Sequence, residues 1–256
     1  MPEQGKSKIA VVTGARQGIG RQVAAELAAR GFAVLVTARH EADDTVAEIK
    51  SSGGEVEFVA ADLTAPDGRR AVVDAAVQRF GAVDVLINNA AYTTGPAMFA
   101  TIDDVTLEDW HHQFHINLDA PFQLAQGVIP HMRARGGGVI INISSPAALS
   151  RPVDKGQPNP YGVLFGYEAT KAALERLTNS VAAAVCGDHI AAIAVDPGLV
   201  ATETTTATLE QLGVDSSFAT PSRHIAKGIA DLIPDAMDLT GTVVRMGVSP
   251  LAAPAD

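Results

Sequence analysis

Tyr167 and Lys171 stand four residues apart in a stretch, 166–186, whose apolar spacing predicts a helix. Their side chains therefore share one helix face. A tyrosine hydroxyl titrates near about 10, too high for a good base at neutral pH. A nearby ammonium favours the phenolate and lowers that value. Such a pair can protonate a carbonyl oxygen or take the proton of an alcohol. Ser144 and Ser145 follow an apolar run ahead of this helix, and a serine hydroxyl there can hold the same oxygen. Tyr161 is a competing tyrosine, but Phe165 stands where its lysine partner would be.

A second set of residues points to a nucleotide. The run Ile9–Val12 leads into Thr13-Gly14-Ala15-Arg16-Gln17-Gly18-Ile19-Gly20, where a helix opens. Glycines at such a turn let the backbone approach a pyrophosphate, and the helix N-terminus supplies free N–H groups and a partial positive charge. The next strand ends in Thr37-Ala38-Arg39-His40. An acidic residue there would bond the adenosine ribose hydroxyls of NAD. Arg39 instead suits a 2′-phosphate, which it can pair in a bidentate way, and Arg16 offers a second cation. This favours NADP(H). NAD(H) stays open, because Arg39 could also stack over adenine in a pocket that accepts both. Asp62, followed by Leu63, ends a third strand and could accept from the adenine amino group or serve as a turn residue. Asn88-Asn89-Ala90-Ala91 ends a fourth. All of these lie at carboxyl ends of strands, where open α/β sheets bind ligands.

The elements that must position these groups alternate. Strands are expected at 9–12, 32–37, 56–60, 83–88, 138–144, 190–195 and 242–246. Helices are expected at 18–30, 43–51, 66–80, 107–135 and 166–186, with Pro66 suited to a first turn and Pro121 able to kink or divide the long one. The expected fold is α/β: a doubly wound, Rossmann-like parallel sheet of about seven strands with helices on both faces. No linker or composition shift interrupts it, so residues 1–256 read as a single dinucleotide-binding oxidoreductase domain. Two segments break the pattern and are expected as loops beside the site: 146–165, with four prolines, and 202–220, rich in Thr and Ser.

These residues together resemble the short-chain dehydrogenase/reductase family through nearly the whole chain. The resemblance rests on the Thr13–Gly20 motif, Asp62, Asn88-Asn89-Ala90, Asn117, Ser145, Tyr167 with Lys171, and Pro197-Gly198. It implies Ser145 as the residue orienting the substrate oxygen, Tyr167 as acid/base and Lys171 as the group that lowers its pKa. It implies that Asn117 supports a water-mediated proton relay to Lys171. Asn89 and Ala90 would line the adenosine and ribose side, and Val200 and Thr202 the nicotinamide carboxamide. It also implies a homo-oligomer, a tetramer or dimer, with 107–135 and 166–186 at its interfaces. Three departures stand out. Ala91 replaces a usual glycine. Arg16 lies one place before the basic residue of NADP-binding members, where Gln17 stands, which leaves Arg39 the stronger half of the NADP argument. Ser145 and Tyr167 are 22 positions apart instead of about a dozen, so 146–165 is expected to loop out and let them converge.

Composition limits the alternatives. With 47% hydrophobic, 19% charged and only 5% aromatic residues, the chain is globular, with a core of Ala, Val, Ile and Leu. A net charge of −10 argues against nucleic acid or an anionic membrane as partner. No run is long enough for a signal or spanning segment, so a cytoplasmic protein is expected. The one cysteine, Cys186, can form no intrachain disulfide and is expected to be buried or half-buried. His111 and His115 lack a third ligand, and no metal is expected. Glu108, Asp109 and Trp110 read as first-turn acids and an anchoring aromatic. The expected function is hydride transfer between NADP(H) and a ketone or aldehyde, or the corresponding alcohol, with a small-molecule partner. The alternatives are a 3-oxoacyl-thioester reductase, for which Arg133, Arg135 and Arg151 could dock an acyl carrier, and a non-catalytic NADP(H)-sensing protein. The substrate pocket is expected between 92–99, 146–165 and 202–220, with Pro96, Met98, Phe99, Leu149, Leu164 and Phe165 as apolar walls.

Overall fold

The computed structural model describes residues 7–93, 101–150, 164–211 and 215–247. Its main sheet holds β1 (Ile9–Thr13), β2 (Ala33–Ala38), β3 (Val56–Ala60), β4 (Val85–Asn88), β5 (Gly138–Ile143), β6 (Ile190–Asp196) and β9 (Val243–Arg245). The order is β3-β2-β1-β4-β5-β6-β9, and every pairing is parallel. The chain builds outward from β1 on one side, then returns beside β1 with β4 and builds the other way. The carboxyl ends of β1 and β4 therefore flank the point where the winding reverses.

The strands are buried on both faces, which explains their unbroken apolar runs. Ala10 and Val12 point into one layer and Val11 into the other. The first layer is covered by α1 (Gly18–Ala29), α2 (Asp43–Ser51) and α8 (Ser222–Leu232). The second is covered by α3 (Pro66–Phe80), α5 (Ala120–Arg135) and α6 (Phe165–Val185). Val23, Ala24, Leu27 and Ala28 form the buried stripe of α1, and α8 answers it with Ile225, Ala226, Ile229 and Ala230. Pro66 occupies the first turn of α3.

One expectation is sharpened and two change. The region 107–135 is not one helix: α4 (Leu107–Phe114) runs into a π-turn, His115–Asp119, before α5 begins. Pro121 is the second residue of α5, directly after that π-turn, so the division falls where the proline marks it. The 202–220 stretch is not a loop throughout: it holds α7 (Glu203–Gln211) and ends at β8 (Thr220–Pro221), which pairs with β7 (Val200–Ala201). Thr202 caps that helix by accepting from Thr205 N–H at 3.1 Å, a local bond that polarity alone did not reveal. Cys186 is exposed, not buried: it opens a short 3-10 turn, Cys186–Asp188, beyond the last buried residue of α6. Tyr161, Arg151, Pro96, Met98 and Phe99 lie outside the described residues. No helix among the described residues is long and apolar enough to cross a membrane.

Inside the sheet a polar ladder joins strands to helix. Asn88 Nδ2 donates to Asn142 Oδ1 at 2.8 Å, Asn142 Nδ2 to Thr178 Oγ1 at 2.8 Å, and Thr178 Oγ1 to Leu174 O at 2.7 Å. All three side chains are buried. Replacing Asn142 by Ala leaves buried Asn88 Nδ2 without its acceptor, while Thr178 Oγ1 keeps Leu174 O; an unsatisfied buried group costs about 1–3 kcal/mol. Asn142→Ala is therefore expected to lower unfolding stability by about 2 kcal/mol in urea titration; an unchanged midpoint would show that the ladder adds nothing.

Candidate active site

A cleft of about 710 Å³ opens at the carboxyl ends of the strands. It runs from Arg39 and Asp62, past the glycine loop, to Tyr167 and Lys171. The turn after β1 follows a left-handed path at Gly14 (φ +64°) and Gly18 (φ +58°). A Cβ on Gly14 would stand 2.8 Å from Ala90 Cα, so only glycine fits between the ends of β1 and β4. Gly20 does not line the cleft; it lets α1 pack against Gly14 and Asn89.

The two strand ends are clamped. Thr13 Oγ1 accepts from Asn89 N–H and Ala90 N–H, each at 3.0 Å. Asn89 Nδ2 donates back to Thr13 O at 2.9 Å and Gly14 O at 3.1 Å. The Asn89 side chain thus shapes the glycine loop, while Ala90 and Ala91 line the cleft beside it. Arg16, Gln17, Gly18 and Ile19 line it from the loop, and Leu63 joins Asp62 at the far end. Asp62 Oδ1 accepts from Thr64 N–H at 2.9 Å and Thr64 Oγ1 at 2.7 Å, which holds its carboxyl below the usual range. Arg39 lies near enough to add to that shift, and its Nε donates to His40 Nε2 at 3.3 Å.

At the other end α6 carries Tyr167 and Lys171. The Lys171 ammonium is buried and donates to Ile143 O, at the end of β5, at 2.7 Å. Burial lowers its pKa to about 8. Its Nζ lies 5.5 Å from the Tyr167 ring centroid. Tyr167 is hydrogen-bonded to the Ser145 side chain. Ser144 faces elsewhere, donating to Glu175 Oε1 at 2.7 Å. The 22-residue gap therefore does not keep the Ser145 and Tyr167 hydroxyls apart. In the chain alone, the pKa of Tyr167 is raised, not lowered. Burial outweighs the Ser145 hydrogen bond, and the nearby Asp196 carboxylate pushes it further up.

Asn117 sits in the π-turn and is buried. Its Oδ1 accepts from Tyr92 N–H at 2.8 Å and its Nδ2 donates to Thr170 Oγ1 at 3.0 Å; Thr170 Oγ1 donates to Tyr167 O at 2.9 Å. The Asn117 amide thus braces the strand-4 loop against α6 and reaches neither Tyr167 nor Lys171. Pro197, Gly198, Val200 and Thr202 line the cleft between the two ends, and Asp196 Oδ1 accepts from Gly198 N–H at 2.9 Å. Among the described residues no group of three His, Cys, Asp or Glu could hold a metal; His115 Nδ1 meets Asp119 Oδ2 at 2.8 Å.

A family model of short chain dehydrogenases matches residues 8–213. The chain belongs to the short-chain dehydrogenase family, and so to an oxidoreductase family. Its similar relatives include the short-chain reductase protein NovJ of Streptomyces niveus, 35% identical over 212 residues that span 82% of this chain and 76% of NovJ. A 3-oxoacyl-[acyl-carrier-protein] reductase, FabG of Staphylococcus aureus, is 33% identical over 80% of each chain. The L-sorbose reductase of Gluconobacter frateurii, solved with NADPH and L-sorbose, superposes with a TM-score of 0.85 at 27% identity, covering 99% of this chain and 100% of that one.

Several lining residues carry no motif of their own, although the segment 202–220 is expected to border the pocket. His112 lines it with its ring edge-on to Tyr92, centroids 5.2 Å apart. Thr204, Thr205, Thr208 and Leu209 line it from α7. No spacing rule marks them, because their place depends on where α7 settles. Arg69 is buried on α3 and lies outside the cleft, yet ties its rim to the π-turn. It donates to Leu63 O at 2.6 Å and to Thr64 O and His115 O at 2.9 Å each.

The lowered pKa of Lys171 sets a pH window. The ammonium is present below about pH 8 and lost as pH rises through it. Proton transfer supported by that charge is expected to hold steady below that point and fall above it. Lys171→Arg, which keeps its charge, is expected to move the fall to higher pH in a kcat-against-pH series. An unmoved profile would assign the fall to another group.

Proposed function

We propose that this protein transfers a hydride between NADP(H) and a ketone or aldehyde, or the corresponding secondary or primary alcohol. The observation that carries the reading is the meeting of Ser145, Tyr167 and Lys171 at one end of the cleft that the glycine loop opens at the other. The cleft fits a dinucleotide: it has the glycine turn no side chain could share and, beside it, the amino end of α1, whose N–H groups attract a pyrophosphate. Gly14, Gly18, Ile19 and Gln17 would hold the pyrophosphate, Asp62 and Leu63 the adenine, Ala90 and Ala91 the adenosine ribose. Pro197, Gly198, Val200 and Thr202 would hold the nicotinamide end. The bound cofactor supplies or accepts the hydride at its nicotinamide ring.

The chain's own residues manage the proton. Ser145 orients the substrate oxygen beside Tyr167, and Tyr167 donates its proton to that oxygen in reduction or removes it in oxidation. Lys171, charged at neutral pH, favours the phenolate electrostatically and can bond the nicotinamide ribose. Asn117 braces Thr170 and the Tyr92 loop; the water-mediated relay from Asn117 to Lys171 that the family resemblance implies is part of this proposal. Ile116, Leu164, Leu199, Leu209 and Phe218 give the substrate end apolar walls.

Arg39 and Arg16 support NADP(H) over NAD(H), as does the NADPH held by the sorbose reductase. A 3-oxoacyl thioester is the second reading, favoured by the FabG relative. Against a carrier-docking patch, Arg133 pairs with Asp188 at 2.7 Å and Arg135 with Asp84 at 3.1 Å. The protein acts as a dimer or tetramer, a reading supported by Leu107 and Phe122, exposed on α4 and α5.

Turnover of a carbonyl panel with NADPH and NADH tests this. Tyr167→Phe is expected to lower kcat by roughly 10²–10⁴-fold with NADPH affinity nearly intact; full activity would remove the mechanism. Arg39→Ala is expected to lower kcat/KM with NADPH about tenfold or more and with NADH far less. A native preference for NADH would overturn the cofactor assignment.

A further inference from the structure

The amino end of α1 already holds a carboxylate. Gly18 N–H, the first of that helix, donates to Glu203 Oε2 at 3.1 Å. The neighbouring contacts come from the same short segment. Gln17 Nε2 donates to Thr204 Oγ1 at 2.9 Å, and a Cβ on Gly18 would meet the Thr202 methyl at 3.2 Å. Thr202 Oγ1 in turn starts α7 by capping Thr205 N–H. Glu203 thus comes from the first residue of α7 and reaches across the cleft to the glycine loop. Arg16, Arg21, Glu41, Asp43 and Asp44 line the same recess as Glu203.

The first N–H groups of a helix have no partner inside it. They attract anions, and a pyrophosphate is the anion a glycine turn of this kind receives. A glutamate carboxylate and a phosphate oxygen cannot both take the Gly18 N–H, and held side by side they repel. We infer that Glu203 sets the cofactor affinity of this protein by competing with the dinucleotide pyrophosphate for the amino end of α1. The inference rests on the dinucleotide reading of the cleft. Binding then requires the Glu203 carboxylate to leave Gly18, which couples cofactor entry to a shift at the start of α7. Because Thr205, Thr208 and Leu209 of α7 line the substrate end, that shift also reaches the substrate walls.

Fluorescence titration of NADPH into the full chain tests this without turnover. Glu203→Gln keeps the size and an acceptor oxygen but removes the charge. It is expected to bind NADPH roughly two- to fivefold more tightly at low ionic strength, the scale of one exposed charge at a helix N-terminus. The gain should shrink in high salt. Glu210→Gln removes an equal charge from the same helix without touching Gly18 and should leave NADPH affinity unchanged. Adenosine 2′-monophosphate, which lacks the pyrophosphate, should bind the native protein and Glu203→Gln alike. Equal or weaker NADPH binding by Glu203→Gln would overturn the inference and leave the dinucleotide reading standing. So would an equal gain in Glu210→Gln, or tightening that adenosine 2′-monophosphate shares. Failure of both the native protein and Glu203→Gln to bind NADPH or NADH would overturn the dinucleotide reading, and the inference with it.

Discussion

A buried ammonium organises one end of the cleft. Lys171 is almost wholly removed from water, and its charge is tolerated because Nζ donates to Ile143 O at the end of β5. That bond ties the first turns of α6 to the carboxyl end of an interior strand. Tyr167 lies one helical turn before Lys171, and Ser145 lies two residues beyond Ile143. Fixing the lysine therefore brings the two hydroxyls together, whatever the chain does between them. A longer connection costs little once both of its ends are held, because closure entropy grows slowly with length.

The glycine-loop end of the cleft depends on a different restraint. Where the winding of the sheet reverses, the ends of β1 and β4 must come close enough to form one wall yet leave a crevice. Thr13 and Asn89 do this by exchanging hydrogen bonds across the gap, and Gly14 permits the approach by lacking a Cβ. Arg69 carries the restraint onward. It is held by Leu63 O and Thr64 O on the cleft rim and by His115 O in the π-turn, whose Asn117 braces Tyr92 and Thr170. The two ends of the cleft are thus joined through one chain of hydrogen bonds.

Much of this was legible in the sequence. The strands of the sheet announced themselves as Val/Ile-rich runs because parallel strands are buried on both faces. The stripe Val23, Ala24, Leu27, Ala28 and the glycine turn before it were equally plain. What escaped detection depended on contacts distant in sequence. Pro121 marked where 107–135 divides, but the π geometry of His115–Asp119, with Asn117 buried in it, leaves no sign in the periodicity. α7 was hidden in a Thr-rich segment of low apolar contrast, and α8 became visible only as the partner of α1. The upward shift of Tyr167 reflects burial and Asp196, which sit beside it only after folding. Cys186 was misread because a single residue type says little about which side of a helix end it occupies.

The central claim is that a proton held by Tyr167 and a hydride from NADPH meet at one carbonyl carbon–oxygen bond in this cleft. Single-turnover reduction of a ketone by NADPH deuterated at the transferable C4 position, with the product followed by NMR, tests it most directly. The account predicts an alcohol with deuterium on the carbinol carbon, formed by the native chain and lost when Ser145 is replaced by Ala. An alcohol without deuterium, or unchanged transfer in Ser145→Ala, would contradict it.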